Sequence, residues 1–568
     1  MTGTDLASRL SQLADAELDA LLGEAAEVTL AGVGHRGRMR LVMTAVVCYL
    51  NPRSRWYEDS AALAYVPIWV SALASLQTED GLFRTGDNLA SPPDSSFTVN
   101  DVALVRQLLT PGSPARGGVL TRLRVELDQI LARVTEALVR GGVHTPNHRW
   151  EIAAALARID ALRPDGRVRA RAEEWLAEGV DAAPDGLYSE RSPSYDAAVS
   201  NPCLVTLAEH LDRPDLLEVV HRNLHAVAGL TDDDGSVESV HSRRQDQNRR
   251  CWVGPFALQY RRFALLGGCR ACARSAALAE PFLRHGSVAA LAELLAEPAL
   301  ADPLPELGSV VDAEVVVSHY PSAGLVRRRQ QGSSMTVYGG SDVPQHRRIA
   351  SGLACNPTFL RWRAGNVLLD SVRLSRNFFG VGPFRSDGLE LGDQGERGQY
   401  RLHERVTAAY YQTLPRESWR SDGRYELEHE GRFAAAMSFS SRRPDEVWLE
   451  TDLLVTADRA SVSVEAHLSG AATSYAYELS FEPGGVLTGV LPLAEPDCYQ
   501  LVHGIGSYRV GADQVAFGPG GGEDQPAVYE PGEAYTFLGG TDAKAGVRVY
   551  LTGSTPSRHT LLLQATRG

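Results

Sequence analysis

The sequence predicts a two-part α+β protein, with repeated helical hairpins in the N-terminal half and an antiparallel β-sandwich in the C-terminal half. Three observations carry this expectation. From about residue 5 to 300 the chain is rich in Ala, Leu, Arg and Glu, with apolar residues recurring at helical spacing. Glycine loops interrupt that half at intervals of about fifty residues, the mark of a repeated supersecondary unit. From about residue 310 the apolar residues alternate instead, in short β-branched and aromatic runs. The 568 residues exceed the roughly 250–300 at which a single core stops growing. We therefore expect a helical domain over residues 1–300 and a sandwich over residues 301–568.

The elements follow in order. The run Leu41 to Leu50 is far shorter than the roughly 20 apolar residues that cross a bilayer, so it reads as a buried helix. Leu120 to Val139 repeats Leu, Ile and Val every three or four residues, and Glu151–Leu162 and Leu204–Leu211 do the same. Between such helices lie loops carrying Gly81, Gly142, Gly186 and Gly235. Hairpins that return their loops to one face build an α/α toroid or a solenoid. Residues 286–310, punctuated by Pro298, Pro303 and Pro305, predict the crossover between halves. Strands are expected at Val315–Tyr320, Met335–Tyr338, Thr358–Arg363, Glu446–Val455, Ser461–Leu468, Gly546–Thr552 and Thr560–Gln564. Many strands without helices between them argue for an antiparallel sandwich.

Composition narrows the function classes. A net charge of −14 argues against nucleic acid as a general partner. No stretch is long and apolar enough for a membrane span, and the N-terminus lacks a basic region followed by an apolar run, so a cytoplasmic protein is expected. Seven cysteines are few and odd in number. Cys269 and Cys272 form a lone C-x-x-C without a second pair at metal spacing, and read as a thiol pair on consecutive turns of a helix. Of 56 basic residues only Lys544 is lysine, a bias that genome composition explains without a functional cause.

Two polar clusters could carry chemistry: T145-P-N-H-R-W-E151 and D185-G-L-Y-S-E-R-S-P-S-Y195. Together they supply a tyrosine, an Asn-His pair and two glutamates, groups able to grip a carboxylate and move a proton beside it. Pro146 before Asn147 and helical sequence after Glu151 place the pair near a helix N-terminus, where backbone N–H groups also favour negative charge. The plain alternative is an Asn147 N-cap with His148 in the first turn. The fourth loop, Asp232 to Asp246, adds His241, Arg243 and Arg244. Its acidic run lacks the spacing of a calcium loop and reads as a turn.

These two stretches resemble the catalytic segments of the heparinase II/III-like polysaccharide lyases, in which an Asn/His element precedes a D-G-x-x-x-E-x-S-P-x-Y stretch. The resemblance implies an α/α toroid, an incomplete barrel of helical hairpins, followed by an antiparallel β-sandwich. It implies β-elimination at a uronic acid of an anionic oligosaccharide. Tyr195 then transfers the proton, and Asn147 and His148 neutralise the carboxylate. Glu151, Tyr188, Glu190, Arg191, His241, Arg243 and Arg244 would contact the substrate. Relatives bring one histidine from the second half, for which His346 is the choice ahead of His403 and His319. Where relatives often have histidine after the tyrosine, this chain has Asp196. No cofactor is required. Some relatives hold a structural divalent metal in the β-domain, and its presence here is left open, as is a homodimer through the sandwich.

Other readings compete. An α/α-toroid glycoside hydrolase would pair carboxylates from Glu151, Glu190, Asp234 and Glu238. A uronate epimerase would share the proton abstraction without cleavage, and a carbohydrate-binding protein would need no Tyr195 chemistry. The resemblance favours the lyase.

Overall fold

The computed structural model describes residues 5–86, 88–109, 118–283, 286–306, 315–330, 332–346, 352–394, 397–458, 460–523 and 546–568. The chain divides into two compact units. The first comprises Met1–Ser189, Ser194–Val237 and Trp252–Val310, and the second Glu190–Pro193, Glu238–Cys251 and Val311–Gly568.

The first unit is helical. Its helices include Leu6–Leu22, His35–Leu50, Pro92–Leu108, Gly118–Arg140, Pro146–Leu162, Asn201–Leu211, Asp215–Leu230, Ala257–Leu265 and Ser287–Ala296. Gly118–Arg140 shows why they form: Leu120, Leu123, Leu127, Ile130, Leu131, Val134 and Leu138 are its buried residues and fall on one stripe. Each such side chain contributes about 1.5–3 kcal/mol on burial, and truncating Leu127 to alanine would cost about 2–5 kcal/mol. The run Leu41 to Leu50 is indeed a buried helix segment.

Three of the four glycine loops are one structure repeated. Gly81, Gly186 and Gly235 have φ of 87°, 90° and 80°. In each loop the chain closes a tight turn on itself, with Thr78 N donating to Leu82 O, Ala183 N to Leu187 O and Asp232 N to Ser236 O. Isolated bridges Gln77–Phe83, Ala182–Tyr188 and Thr231–Val237 seal the three turns. Only glycine suits these positions, because a Cβ would also meet Arg133 O at 2.1 Å, Arg222 O at 2.6 Å or the Phe282 ring at 2.4 Å. Gly142 does not belong to the set. It follows Gly141 rather than an aspartate, and its φ is not positive.

The second unit is a sandwich of two sheets. One runs in the order Val486–Thr488, Gly506–Val510, Asp513–Gly518, Ser557–Thr566, Ser461–Gly470, Pro444–Ala457, Gly398–Tyr411, Leu389–Gln394. The other runs Leu491–Pro492, Cys498–Gln500, Val547–Ser554, Ser474–Phe481, Val367–Arg376, Leu360–Ala364, Ser333–Tyr338, Leu325–Gln330, Val316–Tyr320. Val462, Val464, Ala466 and Leu468 alternate inward from the first sheet and meet Val337, Leu369, Tyr477 and Leu479 of the second in one core. Pairing is antiparallel except between Cys498–Gln500 and Val547–Ser554, the one parallel pair within these two sheets among the described residues.

The region expected as a crossover is more ordered than its prolines suggested. Ser287–Ala296 is a helix and Pro298–Ala301 a 3-10 turn, both in the first unit. Cys269 is the N-cap of the helix Arg270–Ala279 and Cys272 lies in its first turn, so the thiol pair does not sit on consecutive turns. Residues 1–4, 307–310 and Lys544, all read above, lie outside the described residues. No helix among the described residues is long and apolar enough to cross a membrane.

Candidate active site

The Asn147 cluster starts the helix Pro146–Leu162. Proline fits its first position, and Thr145, extended at φ −135° and ψ 153°, is the N-cap. Asn147 is therefore not the cap. Thr145 does not cap the backbone with its side chain; its hydroxyl instead donates to Asn147 Oδ1 at 2.8 Å. That contact fixes which end of the amide faces away. Asn147 is 1% exposed, and its Nδ2 is a buried donor with no acceptor. Half-buried His148 meets His144 edge-on at 4.8 Å and Phe97 at 6.4 Å. Glu151 turns into the helical core, where Asn100 Nδ2 donates to Oε1 at 2.8 Å and Cys203 Sγ to Oε2 at 3.2 Å. Burial raises its pKa above the usual carboxylate range.

The motif loop is held by an amide network that no sequence pattern announced. Tyr188, 3% exposed, donates its hydroxyl to Asn201 Oδ1 at 2.8 Å. Asn201 Nδ2 reaches Asn223 Oδ1 and Gln259 Oε1, each at 2.9 Å. Asn223 Nδ2 in turn donates to Gly186 O at 3.0 Å and Asp196 Oδ2 at 2.9 Å, and Gln259 Nε2 to Ala197 O at 2.7 Å. Half-exposed Tyr195 ends the short helix Pro193–Tyr195, just before a π-helical turn over Asp196–Ser200. The two residues that follow it are thus both pinned. Burial, and secondly the Asp196 charge, push the Tyr188 phenol well above its ordinary pKa, so that hydroxyl stays protonated and occupied. Isolated amides on helices carry no spacing signal, which is why Asn201, Asn223 and Gln259 escape a reading of the sequence.

The remaining motif residues belong to the second unit. Ser192 donates to Asp246 Oδ2 at 2.7 Å. Arg191, at φ 51°, donates to Gly340 O at 3.2 Å and to Ser322 O. Arg243 grips Asp342 with two bonds of 2.8 Å, and Arg244 lies 3.4 Å from Glu190. The arginines expected to meet a substrate carboxylate therefore have protein carboxylates or carbonyls as partners. Glu238 accepts from Thr336 Oγ1 at 2.7 Å, Arg361 Nη1 at 2.6 Å and the backbone N–H groups of Ser239 and Val240, both at 2.9 Å. Burial opposes its charge, but Arg361 and then Arg327 outweigh it and hold the pKa at about 2.

His241 is fully buried, and neither ring nitrogen has a hydrogen-bond partner. Burial above all, reinforced by Arg191, Arg327 and Arg361 against the pull of Glu238, lowers its pKa to about 3. It is a neutral imidazole at any working pH. His346 is exposed at the end of the turn Val343–His346, beside Tyr411, His429 and Glu430. His319 is exposed on the edge strand Val316–Tyr320.

The four carboxylates of the hydrolase reading are all engaged within their own unit. Glu151, Glu190 and Glu238 have the partners above, and Asp234 accepts from Ser236 N at 3.0 Å within its turn. A β-domain metal has one candidate group among the described residues of the second unit: His403, Glu450 and Asp452. They do not fit one. His403 Nδ1 lies 2.9 Å from Asp452 Oδ1, and Arg405 contacts Glu450 at 3.5 Å. Burial works to lower the His403 pKa, but the Asp452 hydrogen bond and the surrounding acids raise it, which favours an imidazolium in an ion pair over a metal ligand.

No family model and no curated protein matches the sequence. Solved structures do match the fold. Heparinase III aligns over 94% of this chain and 77% of its own, at 11% identity and a TM-score of 0.56. Chondroitin AC lyase of Streptomyces coelicolor A3, in complex with chondroitin sulphate, aligns over 100% of this chain and 81% of its own, at 13% identity and a TM-score of 0.54. Xanthan lyase of Paenibacillus aligns over 99% of this chain and 57% of its own, at 11% identity and a TM-score of 0.53. At such identities the likeness is one of fold. The chain has a heparinase-like polysaccharide-lyase fold, an α/α toroid followed by an antiparallel β-sandwich.

Proposed function

We propose that this protein is a polysaccharide or oligosaccharide lyase that cleaves at a uronic acid by β-elimination. The observation that carries the reading is Asn147. Its buried Nδ2 lacks an acceptor while its Oδ1 is pinned by Thr145. An unpaired buried donor costs about 1–3 kcal/mol, and a ligand oxygen is what would satisfy it. The fold supports the same reading, because its solved relatives are lyases, one of them bound to chondroitin sulphate.

In this scheme Asn147 Nδ2 and the His148 imidazole donate to the substrate carboxylate. The proton at C5, α to that carboxylate, becomes acidic enough to remove only if the enolate charge is stabilised as it forms. Tyr195 takes that proton and returns one to the O4 leaving group. The C4–O4 bond breaks as the C4–C5 double bond forms, and no water is consumed. Asn223 and Gln259, through Asp196 and Ala197, hold the segment that carries Tyr195 and act as positioning residues. No cofactor enters the scheme.

The test is product mass spectrometry on a panel of uronate-containing oligosaccharides, with wild type, Tyr195→Phe and His346→Gln in parallel. Fragments that sum to the substrate mass, with an unsaturated sugar absent from Tyr195→Phe, are expected. Fragments heavier by one water, formed equally well by Tyr195→Phe, would refute elimination. The His346→Gln rate decides whether that histidine takes part.

A further inference from the structure

We infer that His221, His225, Cys269 and Cys272 form a four-ligand zinc site that ties the helix Asp215–Leu230 to the start of the helix Arg270–Ala279. The ligand atoms of all four lie within 4.8 Å of one another. All four residues belong to the first unit.

Local structure explains the convergence. His221 and His225 are four apart on one helix and so share a face. Leu266, Gly267 and Gly268 turn the chain out of the helix Ala257–Leu265, with Gly268 at φ +65°. Cys269 N donates to Phe263 O at 3.0 Å, which fixes where the turn delivers its thiol. Cys269 caps the next helix, and Cys272 N approaches Cys269 Sγ at 3.4 Å, so the C-x-x-C presents both sulfurs at a helix start. His221 is stacked on the Phe263 ring at 4.9 Å and 6°, which restrains its imidazole.

The distances suit a tetrahedron before any ion is considered. With Zn–N of about 2.0–2.1 Å and Zn–S of about 2.3 Å, ligand atoms sit roughly 3.3–3.8 Å apart. The two Nε2 atoms are 3.1 Å apart, and Cys269 Sγ is 3.7 Å from His225 Nε2. Two sulfurs and two nitrogens in this geometry select zinc over calcium or magnesium. Four protein ligands leave no open position, so the site is structural. Binding displaces the two thiol protons to solvent and uses both imidazoles neutral.

The placement gives the ion a task. Asn223 lies between the two histidines, about 200° around the helix from His221, and it holds Gly186 and Asp196. A metal on one side of this helix would steady the amide network on the other.

The experiment is metal analysis of the purified protein, then reconstitution of reduced, metal-depleted protein with cobalt(II). About one zinc per chain is expected, with thiolate-to-cobalt charge transfer and strong visible bands of a tetrahedral S2N2 site. Both signals should be lost in Cys269→Ser/Cys272→Ser, and chelation should lower the melting temperature of wild type. Wild type that takes up neither zinc nor cobalt under reducing conditions would overturn the proposal, as would a Cys269–Cys272 disulfide that persists in reductant. Both readings use wild type alone, so they stand even if the double variant fails to fold.

Discussion

Replacing Asn147 with leucine separates a ligand-facing amide from a structural one. The side chain is buried, so the change replaces a buried amide with an apolar group of similar volume. It deletes one neutral hydrogen bond, from Thr145, worth about 1 kcal/mol. It also deletes an unsatisfied donor that costs the folded state about 1–3 kcal/mol. Stability should therefore stay level or rise by up to about 2 kcal/mol. Activity should move the other way. A hydrogen bond to a charged oxygen is worth about 1.5–3 kcal/mol, which translates to a fall in kcat/KM of about 10- to 150-fold. Denaturant midpoints and the initial rate of unsaturated-uronate formation measure the two effects on the same preparations. A variant destabilised by 2 kcal/mol or more, yet still active, would show that Asn147 is architecture and refute the reasoning.

Three further outcomes are expected. His241 has a folded pKa of about 3 against an ordinary 6.5, so its stabilising contribution is complete above pH 6.5 and fades as pH falls toward 3. From pH 6.5 to 5 wild type should lose about 2 kcal/mol more than His241→Gln, and a gap in unfolding free energy that does not change with pH would sink this. Glu238→Gln should destabilise the second unit by about 3–5 kcal/mol, because Arg361 and Arg327 keep buried charges without their carboxylate; a shift below about 1 kcal/mol in its chemical unfolding would count against the buried ion cluster. Asn223→Leu should cost about 2–4 kcal/mol and slow turnover more than Tyr188→Phe does. Equal rates for the two would deny that Asn223 positions the Tyr195 segment.

The fold was largely legible because its signals are local. Leu120 to Leu138 declares its helix within its own turns, and Ser461 to Leu468 declares its strand by alternation. Gly81, Gly186 and Gly235 each follow an aspartate and each make the same turn, whereas Gly142 shares only their spacing. The site was less legible because its decisive contacts are distant in sequence. Arg243 looks like a free carboxylate binder until Asp342, 99 positions away, accepts from its Nε and Nη2. The C-x-x-C looks like a lone pair until His225, 44 positions earlier, appears beside it. Asn147 and His148 announce a helix start, but their local sequence carries no sign that Thr145 is the cap and that the amide nitrogen is left over.

The membership of Glu238 in the second unit has a practical consequence for dissecting the molecule. A gene fragment for residues 311–568 would encode both sheets of the sandwich, yet it would lack the carboxylate that neutralises Arg361 and the Gln247 that accepts from the Cys355 backbone N–H and the Asn356 side-chain amide. Such a fragment is expected to collapse or aggregate rather than fold as an autonomous domain. One that carries residues 238–251 on a grafted linker would restore both sets of partners, and residues 190–193 complete a β-unit that is discontinuous in the gene.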